Sequence, residues 1–241
     1  MTPRVSIVVP AFNEQALLAA SLEAIERYCE RVRLEHELIV VDDGSVDATR
    51  SIATQFAQGR PHVTVIGLDT HVGLGGALRA GIQAAAAPII VTLDADLTYS
   101  PEHIERLVAA CSPSTAIVVA SPYASGGQVT GVPRHRLALS RLANRILARR
   151  LGLATSTSMV RAYSREFARS ALPALDDRDV SLGLLRAAHD EDRSVLEVPA
   201  HLDWSAVADR ESRLRTRDSI AAVVRAWRGG RSPRTSRASE G

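Results

Sequence analysis

The sequence predicts an α/β fold, a largely parallel sheet with helices on both faces. Short β-branched runs alternate with longer amphipathic stretches through residues 1–120. Such alternation implies crossover units whose helices cover both sides of a parallel sheet. The 241 residues are 46% hydrophobic and 23% charged, with aromatics at 4%. This is the composition of a soluble domain with a sizeable core built from Val, Leu, Ile and Ala; it excludes a small peptide-like scaffold and gives no sign of disorder at large.

In chain order, residues 5–9, 38–41, 63–66, 89–93 and 116–119 read as strands, and 14–30, 46–58, 73–86 and 101–110 as the helices between them. Residues 133–151 read as an amphipathic helix, with Leu139, Leu142, Ala143 and Ile146 on an apolar face and Arg141, Arg145 and Arg149 along its flank. A strand at 157–163, a helix at 180–189 and a strand at 195–199 follow. Residues 215–228 read as a second basic amphipathic helix, and the Gly, Ser, Pro and Arg-rich segment 229–241 as a disordered tail. Residues 1–228 are thus expected to form a single domain, in two parts, 1–120 and 121–214, with the basic helix at its end.

Cys29 and Cys111 lie in helix-like segments without metal-ligand spacing and read as free thiols of a reducing compartment. No leader precedes the first strand-like run, and no apolar stretch approaches the roughly 18 residues of a membrane span. A cytoplasmic protein is expected. Charge is uneven: residues 1–130 carry 8 Arg against 14 acids, whereas 131–241 carry 21 Arg against 13.

Ligands of open α/β sheets bind beyond the carboxyl ends of the strands. Those ends are polar here: Pro10-Ala11-Phe12-Asn13-Glu14, Asp42-Asp43-Gly44-Ser45 and Asp94-Ala95-Asp96. Asp94 and Asp96, two apart at a strand terminus, project to one side and can reach one hard cation such as Mg or Mn. Gly44 reads as a turn glycine and Ser45 as the N-cap of the next helix. Asp42 and Asp43 repel one another and require compensating donors, so one of them is expected to touch a ligand. The stretch His71-Val72-Gly73-Leu74-Gly75-Gly76-Ala77 lacks the G-x-G-x-x-G spacing of a dinucleotide site. Its glycines, Gly75 among them, suit close approach of a helix start to phosphates.

Taken in order, V-S-I-V-V-P-x-x-N-E from Val5, D-D-G-S-x-D-x-T from Asp42, the glycine-rich segment from His71 and D-A-D-L-x-x-x-P-E-x-I from Asp94 resemble the family 2 glycosyltransferases over about the first half of the chain. Within that family the similarity is greatest to dolichol- and polyprenyl-phosphate hexose synthases, because Arg161-Ala162-Tyr163 and Glu197-Val198-Pro199 recur as well. The resemblance implies a GT-A fold, an inverting reaction and a GDP- or UDP-sugar donor. It places Pro10, Phe12 and Glu14 against the nucleobase, Asp42 or Asp43 against base and ribose, and the Ala95 backbone against the donor. It assigns Asp94 and Asp96 to the metal that faces the diphosphate.

The later segments depart from the family pattern. Ala120-Ser121-Pro122-Tyr123 stands for G-S-R-Y, Thr155 to Tyr163 stands for D-x-T-S-G-F-R-A-Y without its acid and glycine, and Arg210-Glu211-Ser212-Arg213-Leu214 stands for G-x-S-K-L. By that match Arg213 takes the place of a catalytic Lys, and Arg210 that of a donor-phosphate Arg. No E-D pair follows the acceptor loop; Asp179 is its best substitute as general base, with Asp176 and Asp177 behind it. A phosphate acceptor, already ionised, needs no strong base. The missing pair therefore favours a polyprenyl phosphate over a hydroxyl acceptor.

The helices at 133–151 and 215–228 are candidates for peripheral contact with an anionic membrane face. Nucleic-acid binding is disfavoured, since the Arg clusters lack interleaved aromatics. A soluble transferase acting on a small molecule, glycan or peptide, and a non-catalytic nucleotide-sugar-binding protein, are the alternatives; retention of both Asp94 and Asp96 argues against the latter.

Overall fold

The computed structural model describes residues 3–176 and 180–205. Its main sheet has seven strands in the order β3-β2-β1-β4-β7-β5-β8: β1 Val5–Ala11, β2 His36–Asp42, β3 Val63–Gly67, β4 Ile89–Thr92, β5 Thr115–Ser121, β7 Arg161–Ser164 and β8 Ser194–Pro199. All pairings are parallel except those of β7, which runs antiparallel between β4 and β5. A two-stranded parallel ribbon, β6 Gln128–Thr130 with β9 His201–Asp203, stands apart from it. The helices are α1 Leu18–Arg31, α2 Thr49–Ala57, α3 Leu74–Ala84, α4 His103–Ala109, α5 Arg134–Leu151, α6 Arg165–Ala171 and α7 Val180–Asp190.

Because both faces are covered, the central strands are buried along nearly their whole length instead of alternating. Successive side chains still point to opposite faces, and this divides the core. Val5, Ile7 and Val9 join α1 residues Leu18, Leu22 and Ile25 on one side, while Val8 joins Leu78, Ile82, Phe167 and Leu184 on the other. Gly81 lets α3 lie close on the sheet: a Cβ there would fall 2.3 Å from Val8 Cγ1.

The expected alternation is present, with helices starting a few residues later than the pattern suggested. Ser45 does not cap α2. That helix begins at Thr49 with Ala48 at the cap, and Ser45 Oγ accepts from the Asn13 amide at 2.9 Å. The apolar face assigned to α5 does not turn inward as a whole. Leu142 is 55% exposed, whereas Asn144 and Leu147 are buried, because Asn144 organises the loop that precedes β7. No helix among the described residues is long and apolar enough to cross a membrane. The segments 215–228 and 229–241 lie outside the described residues.

Gly44 has φ of +67°, and a Cβ there would lie 2.5 Å from the Thr70 carbonyl carbon. Gly44→Ala is expected to destabilise the protein by about 1–3 kcal/mol, read as a lowered thermal midpoint.

Candidate active site

Ala11 pairs with Asp42 at the ends of β1 and β2, and the Leu93 amide bonds the Val8 carbonyl as β4 runs out towards Asp94. The three polar strand ends therefore lie on adjacent strands at one edge of the sheet. Beyond β1, Asn13 adopts φ of +52°, uncommon for a residue other than glycine. The turns after β1 and β2 are stitched together. Glu14 N donates to Thr49 Oγ1 at 2.7 Å, Val46 N to Asn13 Oδ1 at 2.9 Å and Ala48 N to Gln15 Oε1 at 3.1 Å. Asn13, Ser45 and Thr49 of the recognisable motifs are thus the fastening of two loops.

Asp42 and Asp43 find their compensating donors within the chain. Buried Asp42 accepts from Arg50 Nε at 2.8 Å and, more weakly, from Ser45 N at 3.3 Å. Asp43 receives the Val72 and Gly73 amides, each at 2.9 Å, and its Oδ2 lies 2.8 Å from His71 Nδ1. Mutual repulsion therefore gives no reason to seek a ligand here. Asp43 instead pins the loop leading to α3, and His71 in turn stacks on Phe12 with ring centroids 3.9 Å apart. Pro10, Phe12 and Glu14 are half-buried around this edge, and Gly75 is buried in the first turn of α3.

Asp94 and Asp96 differ from that pair. Among the described residues no Arg or His forms an ion pair with either. Asp94 is held well above the usual carboxylate range, first by loss of hydration and then by the charge of Asp96. Asp96 accepts from Thr98 N at 3.0 Å, and Leu97 between them has φ of +49°, so the turn that follows Ala95 sits in a sparsely populated conformation. Two nearby carboxylates without a protein cation, with only oxygen donors, fit a hard divalent ion. The turn is braced from below and from the side. Tyr99 is buried and hydrogen-bonds Ser158, and the Asp203 amide donates to Thr98 O at 2.8 Å, tying β9 to the acidic turn.

His103 completes this brace. Its Nδ1 faces Ser100 O at 2.9 Å and its Nε2 accepts from His201 N at 3.0 Å, which fixes a neutral tautomer. Burial lowers its pKa in the same sense.

On the other side of β7 the loop before Val160 is gripped by three side chains. Glu197 accepts the Ala154 and Thr155 amides at 2.7 and 2.8 Å. Asn144 Oδ1 accepts from Ser156 N at 2.7 Å. Arg161, fully buried, donates to Ser156 O at 2.7 Å and to Ser181 O at 2.6 Å. Where the family pattern has an acid, Thr155 bonds Ser121 across 2.7 Å instead. Beside this loop a cavity of about 510 Å³ is lined by Tyr123, Arg141, Asn144 and Arg145, among others.

None of the sequence motifs specifies Arg50, Tyr99, His103 or Asn144. Arg50, the second residue of α2, Tyr99, His103 and Asn144 act through contacts that the chain makes only on folding and carried no local signal. Asp179, Arg210 and Arg213 lie outside the described residues.

A model of glycosyl transferase family 2 matches residues 6–171. An undecaprenyl-phosphate 4-deoxy-4-formamido-L-arabinose transferase of Pseudomonas fluorescens is 33% identical over 204 residues, 83% of this chain and 57% of that protein. A polyprenol monophosphomannose synthase of Mycolicibacterium smegmatis is 32% identical over 207 residues, 82% of this chain and 77% of its own length. The chain thus spans little more than half of the first relative. Glucosyl-3-phosphoglycerate synthase of Mycobacterium tuberculosis, solved with Mn2+, uridine diphosphate and phosphoglyceric acid, superposes with a TM-score of 0.64 at 25% identity, covering 92% of this chain and 75% of that one. A Pyrobaculum calidifontis mannosyltransferase solved with GDP-Man and Mn2+ has a TM-score of 0.65 at 21% identity, covering 97% and 66%, and shares the fold.

A carboxyl whose pKa is raised by folding stabilises the protein fully below its unfolded value and loses that contribution as pH rises through the folded one. Metal-free protein is therefore expected to lose stability between about pH 4 and 8 through Asp94. Asp94→Asn should remove that part of the loss, leaving the variant more stable than the parent on the order of 4 kcal/mol at pH 8 and no more stable near pH 4. Thermal melts in chelator across that range check this.

Proposed function

The chain belongs to glycosyl transferase family 2, and from that premise we propose that it transfers a hexose, with inversion, from a GDP- or UDP-sugar to a polyprenyl or dolichyl phosphate. One observation of geometry carries the acceptor half of this reading: the acidic turn follows β4, and the first lining residues of the cavity with Arg141 and Arg145 follow β5, which runs the same way as β4. Pro122 and Tyr123 of that cavity directly follow β5, which β7 separates from β4. At about 4.8 Å per strand, that is a span of roughly 10 Å, the scale on which a sugar joins two phosphates. The names of the two sequence relatives, both of which act on polyprenyl carriers, support the same acceptor class.

In this reading Asp94 and Asp96 hold Mg or Mn. The cation, when bound, offsets charge on the departing nucleotide diphosphate. Pro10, Phe12, Glu14 and the Asp43-anchored loop shape the nucleotide pocket, with Asp42 and Asp43 as candidate base and ribose contacts beside their internal partners. Gly75 and the Ala95 backbone allow close approach of the donor. Arg141 and Arg145 attract the phosphate of the acceptor and orient its oxygen towards the anomeric carbon. That oxygen is largely ionised at neutral pH, so Asp179 is not required as a base; Arg210 and Arg213 are the cations proposed for the leaving diphosphate.

Exposed Leu142, beside Arg141 and Arg145 on α5, offers apolar and cationic groups together. This supports peripheral contact of 133–151, with 215–228, at the cytoplasmic face of an anionic membrane.

Incubation with radiolabelled GDP- and UDP-sugars, Mg2+ or Mn2+ and polyprenyl phosphate should move label into the organic phase, and chelation should stop it. Label appearing only on a water-soluble acceptor, as phosphoglycerate would be, contradicts the lipid reading. Asp96→Asn is expected to lower turnover by about 100-fold or more with the fold retained. Replacing Arg141 and Arg145 together by Ala should raise the KM for lipid phosphate by about tenfold with little effect on donor binding; an unchanged KM places the acceptor elsewhere.

A further inference from the structure

Away from the acidic turn, at the opposite end of β2, three side chains from three separate elements converge. Glu26 lies on α1, His36 opens β2 and His62 immediately precedes β3. His36 Nε2 is 3.1 Å from Glu26 Oε1, and His62 Nε2 is 3.0 Å from Glu26 Oε2. The two imidazoles meet edge to face, centroids 5.3 Å apart. One donor atom from each of the three residues lies within 4.8 Å of the others. His36 Nδ1 faces Leu34 O at 3.0 Å, the outer hydrogen bond that fixes ring orientation in metal-binding histidines and leaves Nε2 for the ion. Cys29, fully buried one helical turn after Glu26, also contacts His36.

We propose that Glu26, His36 and His62 bind a Zn2+-class transition-metal ion at a site separate from Asp94 and Asp96. Donor chemistry separates the two sites. Two imidazoles and a carboxylate suit zinc, whereas the oxygen-only pair after β4 suits Mg or Mn. Bond lengths of about 2.0–2.2 Å set ligand atoms of a tetrahedral zinc roughly 3.3 Å apart. The 3.0 and 3.1 Å contacts already have that scale, so a small closure of the two rings about the carboxylate completes the set. The His62 side chain is 37% exposed, which gives the ion a way in. Without metal the cluster is held by the Glu26 carboxylate, whose two oxygens face the two rings at 3.1 and 3.0 Å. An ion here joins α1 to the entries of β2 and β3. Since His36 and Asp42 bracket β2, this clasp sits about 20 Å along that strand from the donor edge.

The full-length protein, stripped with chelator and returned to buffer with excess Mg2+, is titrated with Zn2+ against a chromophoric zinc chelator. One equivalent should bind with a Kd of about 1 µM or tighter and raise the thermal midpoint by several degrees. His62→Gln, at a partly exposed ring, should weaken binding by about 100-fold, whereas Asp96→Asn should leave it intact. Absence of binding up to about 100 µM Zn2+, affinity unchanged in His62→Gln, or loss of the equivalent in Asp96→Asn overturns the assignment. Cobalt substitution of the unmodified protein gives an independent reading that does not rely on a variant folding. Intense visible absorption of tetrahedral, nitrogen-ligated Co2+ is expected; the weak spectrum of an oxygen-only octahedral ion contradicts it.

Discussion

The organising constraint of this molecule is the repulsion among four carboxylates gathered at neighbouring strand ends. Asp42, Asp43, Asp94 and Asp96 are brought to one edge because β2, β1 and β4 are adjacent and parallel. The fold gives the first two hydrogen-bond partners in Arg50, His71 and backbone amides. For the second two it provides one amide, on Asp96, and among the described residues no cation. The turn they occupy is nevertheless held firmly, by Tyr99 beneath it and β9 beside it. A rigid turn that keeps like charges together stores unfavourable energy that a bound cation releases.

The side proposed to receive the acceptor is built on a different principle. Its loop carries no acid, and its backbone is fixed by Glu197, Asn144 and Arg161, which reach it from a strand, a helix and the sheet itself. Substituting Thr155 for the family's acid removes a negative charge near the Arg-lined cavity and replaces it with a neutral hydroxyl pair to Ser121. The local field is then more favourable to an anionic acceptor. The same exchange that weakens the motif match is thus consistent in charge with a phosphate substrate.

The fold was legible in the sequence because hydrophobic periodicity is a local signal: β-branched runs and amphipathic stretches reported strands and helices of the first half in their order. The position of Asp94 and Asp96 followed from the same rule, since a strand end in a parallel sheet is a place as well as a residue number. Three features were not legible. The antiparallel insertion of β7 depends on long-range pairing, with Arg161 opposite Thr92 and Val119. The inward face of α5 is set by the polar Asn144, which a hydrophobic pattern assigns to the surface. Nor does residue type reveal that Asp42 and Asp43 are satisfied internally, because Arg50 and His71 are adjacent to them only in space.

The central claim, that Asp94 and Asp96 form a strained carboxylate pair completed by a divalent cation, is tested most directly by proton release on metal binding. Calorimetric titration of Mn2+ in the presence of GDP or UDP, repeated in buffers of different ionisation enthalpy, counts the protons displaced. Because Asp94 is protonated in part near neutrality, binding near pH 6 should release more protons from the parent than from Asp94→Asn, in which only the nucleotide phosphate contributes, and the difference should vanish above about pH 8.5. Release unchanged by Asp94→Asn, or Mn2+ binding with no proton release near pH 6, would contradict the account.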